Sequence, residues 1–266
     1  MKPRSFLLVL ALASASVLAV PHRPACQLDS LQAVRWALLQ PALQARYCKP
    51  GNTEDCQARL ANLAQLHGYM AADAKVDSVG LAAFLFATVV VETGIRQFSP
   101  AAVERGEGAG KDYGRPDPRT GQRYYGRGWV QLTYHHQYRM AGERLGLPLL
   151  TQPELALQPD NSYRILVTAL TEGIPEVYRQ NASGASNGQG PRVKAGDFIS
   201  ATQADYAQAR AVINANCVGK CSASSRQYFP GKGYLPKQGF IDVAEDAEKE
   251  ALFFEKALCK AAANAG

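Results

Sequence analysis

Apolar positions in this chain recur three and four residues apart, as on one face of a helix, and no stretch of useful length alternates as a strand would. Leu31, Val34, Leu38 and Leu39 mark a helix over 31–46, with Pro41 expected to break it. Leu60, Leu63, Leu66 and Met70 mark another over 55–70. Residues 76–91 are almost entirely apolar, which predicts a helix buried on most sides, with Gly94 as its stop. The glycines and prolines between Gly106 and Gly121 predict a loop over 99–123. Helices follow over 132–145, ended by Gly146, and from a cap at Asp160 through Ile165, Leu166 and Leu170 to Gly173. "NASGASNGQGP" (181–191) reads as a flexible excursion, 202–216 as helical again, and 242–263 as a final amphipathic helix. The pattern predicts one mainly α-helical, loop-rich domain with no internal repeat.

Composition adds an address. Residues 1–19, "MKPRSFLLVLALASASVLA", have two early cations, an apolar run from Phe6 and small residues at the end, the pattern of a cleavable secretory signal. Residues 20–266 are then the working domain, secreted or periplasmic. No later run reaches roughly 18 uninterrupted apolar residues, so no stable membrane insertion is expected. Lys2 and Arg4 leave with the signal and no acid does, which lowers the formal charge from +6 to +4. That excess suits an anionic surface such as a cell wall. No basic run interleaves with aromatics as nucleic-acid binding would require. Cys26, Cys48, Cys56, Cys217, Cys221 and Cys259 read as about three disulfides in an exported chain, and spacing alone does not choose the pairing. Zinc at Cys217 and Cys221 lacks a nearby histidine or second cysteine pair, so no metal is expected.

Candidate chemistry starts at Glu92, which closes the apolar run "GLAAFLFATVVV". Apolar surroundings disfavour a carboxylate's charged form, which is how a general acid is kept protonated. The plainer alternative is a helix-end glutamate facing water. Glu104 and Glu107 follow in the loop, and a fold-back would set one of them across a cleft from Glu92, the apparatus of glycoside hydrolysis. In "YYGRGWVQLTYHHQY" (124–138), Gln131 and Thr133 are expected to open a helix just after Gly126-Arg127-Gly128, where they can bind a sugar or hold a water. Tyr124, Tyr125 and Trp129 offer faces of the kind that stack on sugar rings; the alternative is that they pack the core and Arg127 forms an internal ion pair.

The blocks "VVVETG", "YYGRGWVQLTYHHQY", "LGLPLLTQPELALQPD" and "ARAVINAN" resemble, in order and approximate spacing, the family 19 glycoside hydrolases: plant-type and bacterial chitinases with endolysin-like relatives. The resemblance spans roughly residues 76 to 217. It implies a lysozyme-like α-helical fold with a central substrate cleft, and cleavage of β-1,4 bonds in N-acetylglucosamine polymers. By the same resemblance Glu92 is the general acid and Glu104 the base, with Glu107 as the alternative base. Thr133 holds the attacking water, Gln131 contacts substrate, Asn214 binds the N-acetyl sugar, and Tyr125 and Arg127 belong to the substrate-binding wall. Such an acid and base work by inversion when they stand roughly 6.5–9.5 Å apart. A monomer without a cofactor is expected, with chitin or peptidoglycan as its polysaccharide partner. A non-catalytic sugar-binding protein is the alternative from another class. The resemblance further implies a disulfide from Cys217 or Cys221 to Cys259, a local one from Cys48 to Cys56, and Cys26 joined to whichever cysteine remains. Val91, Gly94, His135 and His136 depart from the plant-type pattern and lean toward the endolysin-like branch. The plant-type glutamate beyond the last block has no clear match near Cys217, which leaves a supporting Glu–Arg network in doubt.

Overall fold

A computed structural model describes residues 21–27, 31–102, 105–173, 194–214 and 240–265. The leader at 1–19, the excursion at 181–191, and Cys217 and Cys221 lie outside the described residues. Within them the protein is mainly α-helical, and its β-structure is confined to isolated bridges.

Helix α1 (Trp36–Tyr47) contains Pro41 without breaking. Pro41 lies near the first turn with its ring in solvent, so it forfeits one backbone bond while Leu39 and Leu43 bury completely beneath it. Helix α2 (Thr53–Ala71) begins at Asn52, whose side chain accepts the Asp55 N–H, and it buries Leu60, Leu63, Leu66 and Met70 as their spacing predicts. Helix α3 (Val79–Thr93) is the axis of the core. Ser78 caps it through the Leu81 N–H, and from Val79 to Val89 every side chain is buried. The window Val79–Arg96 is long and apolar enough to cross a membrane by length and composition, yet most of it lies inside the protein.

Gly94 closes α3 but keeps right-handed helical angles, and the chain continues as a 3₁₀ turn to Arg96. The left-handed stop falls instead on Gln97. Helix α4 is His135–Leu145, three residues later than the pattern predicts, and ends at left-handed Gly146 as expected. Helix α5 (Pro159–Thr168) begins after Gln158 without a side-chain cap; Asp160, expected as the cap, lies inside its first turn, and the helix runs on as a π turn over Ala169–Gly173. Short helices α6 (Tyr206–Ala209) and α7 (Ala211–Asn214) follow, then the long α8 (Phe240–Ala263). Ala247, Ala251, Phe254, Leu258 and Ala261 form a buried stripe on α8, and the alanines let it lie close along α3. Phe86 and Phe254 stack across that seam with ring centroids 4.6 Å apart.

Two disulfides fasten this frame. Cys48–Cys56 closes the α1–α2 connection, as expected. Cys26–Cys259 ties the segment before α1 to α8, so Cys259 does not pair with Cys217 or Cys221.

Candidate active site

Glu92 sits in the last turn of α3 with its side chain 14% exposed, neither sealed in an apolar pocket nor free in water. Its neighbour is a cation, not the apolar surroundings that the sequence predicts for it. Arg210, between α6 and α7, keeps 2% of its side chain exposed and donates from Nη2 to Glu92 Oε1. The two residues are 118 positions apart. Sequence reasoning did not single out Arg210, although the "ARAVINAN" block contains it.

The loop leaving Glu92 is strained and pinned. Gln97 and Phe98 both have positive φ, at 51° and 63°. The Gln97 carbonyl accepts from Asn62 Nδ2 at 2.9 Å, and the Phe98 carbonyl from Trp129 Nε1 at 2.8 Å. Three further non-glycine residues with positive φ are Glu107, Gln131 and Tyr134. All five such residues among those described fall between 97 and 134. Strain of this kind persists only where surrounding contacts hold it, and it gathers at functional sites.

The motif at 124–138 forms a tight turn rather than a helix start. Arg127 and Leu132 exchange backbone hydrogen bonds of 3.1 and 2.9 Å, and Gly128 turns the chain with φ +77°. Gln131 and Thr133 therefore precede α4 instead of opening it. Gln131 Nε2 donates to the Ala101 and Gly128 carbonyls at 2.8 and 2.7 Å, so the turn grips the Glu92 loop three residues before Glu104. Thr133 Oγ1 donates to the Gln131 carbonyl at 2.7 Å. A Cβ on Gly126 would lie 2.9 Å from Gln131 Oε1 and 3.3 Å from Thr133 Oγ1. These two polar atoms thus converge over a position that only glycine leaves open.

The aromatics and arginine of the motif face inward. Trp129 is fully buried, and Tyr124 and Tyr125 are 2% and 7% exposed. Arg127 is 6% exposed; its Nη1 donates to the Arg123 carbonyl and to the Tyr138 hydroxyl, each at 2.9 Å, and its guanidinium lies 3.6 Å from the Tyr125 ring centroid. The alternative ion pair of Arg127 is not what the geometry places here, since its partners are carbonyls, a phenol and a ring. Arg127 is a strut under the turn. The Tyr125 hydroxyl lies beside the exposed Glu107 carboxylate; burial raises the phenol pKa, Arg127 opposes the rise and Glu107 adds to it. Glu104 lies outside the described residues. Asn214 ends α7 one turn beyond Arg210, and its side chain lies outside them too. His135 sits against the edge of Tyr124 at 5.1 Å and 3.0 Å from Arg119 Nη2, and burial followed by Arg119 lowers its pKa.

What these residues can do together is acid–base work beside a polar wall. A half-buried carboxylate is fixed by a buried guanidinium, a pinned loop carries further carboxylates, and an amide and a hydroxyl converge on the turn that grips that loop.

Known proteins share this stretch of chain. Residues 46–169 match the family described as chitinase class I (Glyco_hydro_19). Chitinase 12 of Oryza sativa subsp. japonica is 32% identical over 123 residues, 41% of this chain and 38% of that protein. Endochitinase At2g43620 of Arabidopsis thaliana is 35% identical over 80 residues, 27% of this chain and 28% of that one. The chain thus spans well under half the length of these curated relatives. The crystal structure of chitinase C from Streptomyces griseus HUT6037 aligns with a TM-score of 0.43 at 19% identity, over 87% of this chain and 95% of that one. Glu92, its loop, the motif and α5 all fall in the matched range, while Arg210 and α8 lie beyond it. Over residues 46–169, a little under half its length, this chain matches the chitinase class I family, glycoside hydrolase family 19.

Proposed function

We propose that the protein is an exported, endo-acting glycoside hydrolase that cleaves β-1,4 bonds in N-acetylglucosamine polymers, chitin or its oligosaccharides, with inversion at the anomeric carbon. The observation that carries this reading is Glu92, fixed at the end of the core helix by buried Arg210, within the matched stretch of a chitinase family. Glu92 delivers its proton to the leaving glycosidic oxygen. Glu104, on the loop gripped by Gln131, takes a proton from water as that water attacks the opposite face of the sugar. Glu107, beside the Tyr125 hydroxyl, is the alternative base. Thr133 and Gln131 orient the water and the N-acetyl sugar. Export rests on the leader pattern at 1–19, and the disulfides suit an oxidising compartment.

Glu92→Gln keeps size and polarity but removes the proton. It should lower the hydrolysis rate of chito-oligosaccharides on the order of 10²–10⁴-fold while oligomer binding persists. Proton NMR of the first products should show the inverted anomer. Cleavage of peptidoglycan alone would move the substrate assignment, and a parent protein that binds oligomers without cutting them would make this a sugar-binding module.

A further inference from the structure

Glu255 on α8 is an acid with 2% of its surface exposed, and the reaction just described does not use it. A buried carboxylate is costly unless its oxygens are satisfied, and a well-packed apolar residue of similar size is often no less stable. Glu255 is fully engaged. Oε1 accepts the Ala25 N–H at 2.8 Å; Oε2 accepts the Tyr206 hydroxyl at 2.5 Å and contacts His22 Nε2 at 2.9 Å.

Tyr206 links this cluster to the candidate acid. The Arg210 N–H donates to the Tyr206 carbonyl, so the two residues stand one helical turn apart on the same side. Arg210 then reaches Glu92. The route past α3 is cut to fit: a Cβ on Gly80 would meet Ile199 Cγ2 at 2.8 Å and the Tyr206 hydroxyl at 3.5 Å. Behind the cluster, His22 and Ala204 exchange backbone bonds of 3.0 and 2.9 Å, two residues before Tyr206, and Cys26 is bonded to Cys259 one turn beyond Glu255.

We propose that Glu255 is a positioning residue for the candidate acid: through the Tyr206 hydroxyl it fixes the 206–210 turn and so sets where Arg210 holds the Glu92 carboxylate. Segment 21–27 supplies two of the three partners of Glu255, so its seating is part of the same device. The catalytic consequence rests on the reading of Glu92 as the acid, but the mechanical coupling does not.

The test uses the full oxidised chain with ¹³C-labelled glutamate carboxyls, the Glu92 signal being assigned from its loss in Glu92→Gln. Tyr206→Phe removes one oxygen, and Glu255→Gln removes the charge. Each should shift the Glu92 carboxyl signal, and each should lower kcat on chito-oligosaccharides by about tenfold with KM changed by less than about twofold. Leu258→Ala, a core truncation on the same helix, should lower the unfolding midpoint and leave the Glu92 signal in place. A Glu92 signal unmoved in Tyr206→Phe overturns the proposal, and that variant decides alone should Glu255→Gln not fold. If the parent protein cleaves nothing, the hydrolase reading fails while the carboxyl signal still decides whether the coupling exists.

Discussion

At Gly126 an added methyl would meet Gln131 Oε1 at 2.9 Å, the far end of a side chain that can swing away. At Gly128, two residues on, it would meet the Ala156 backbone carbonyl at 2.6 Å, on a residue already at φ +77°. The two substitutions should therefore fail differently. Gly126→Ala should displace the amide from the Ala101 and Gly128 carbonyls, lowering the urea midpoint by less than Gly128→Ala does, with hydrolysis slowed about tenfold to a hundredfold. Gly128→Ala should cost more than about 1 kcal/mol of folding stability, because neither backbone can yield. The motif was conspicuous in the sequence for its glycines, but its aromatics and arginine were ambiguous. Arg127 carries a polar tip that suits a sugar, a carboxylate or a backbone carbonyl equally well, and only the fold shows that it reaches the Arg123 carbonyl. Arg210 was invisible for another reason: nothing local in a chain marks a cation whose partner is 118 positions away.

Helix α2 carries a pH-sensitive element. His67 is 7% exposed against Trp36, and its Nε2 is buried without a hydrogen-bond partner. Burial pushes its imidazole below the ordinary 6.5, against an opposing backbone hydrogen bond at Val34. The neutral ring is the folded form, so the unfolded chain binds more protons between the depressed value and 6.5. Stability is full above the unfolded pKa and is lost as pH falls through that window. His67→Met should flatten part of the loss in urea midpoint between about pH 7 and about pH 5. At this scale the apolar periodicity marked nearly every helix, since burial of one face is written into spacing. Its errors are local. Residues 132–134 fit the helical pattern, but Tyr134 has φ 68° and delays α4 to His135. Hydrophobic spacing carries no signal for a left-handed residue that is not glycine.

Across the whole molecule the two disulfides differ in reach. Their sequence separations are 8 and 233 residues. On chain-entropy grounds, Cys48→Ser with Cys56→Ser should lower unfolding free energy by about 2–3 kcal/mol, and Cys26→Ser with Cys259→Ser by about 5–6 kcal/mol. Calorimetry on the two double variants would rank them, and equal losses would contradict the loop-length argument. Pairing was the least legible property of the sequence, because it depends on which helices lie side by side. The seating of segment 21–27 on Glu255 of α8 brings Cys26 to Cys259, and no spacing rule anticipates that.

The longer bridge also changes what a protease can do. Between residues 26 and 259 the chain is a covalent ring, so one cut opens the ring without releasing a fragment. A molecule nicked in the 181–191 stretch should migrate as one species on a non-reducing gel and as two after reduction. Wherever a protease makes that cut, a severed copy would keep both halves tethered, with Glu92 on one and Arg210 on the other.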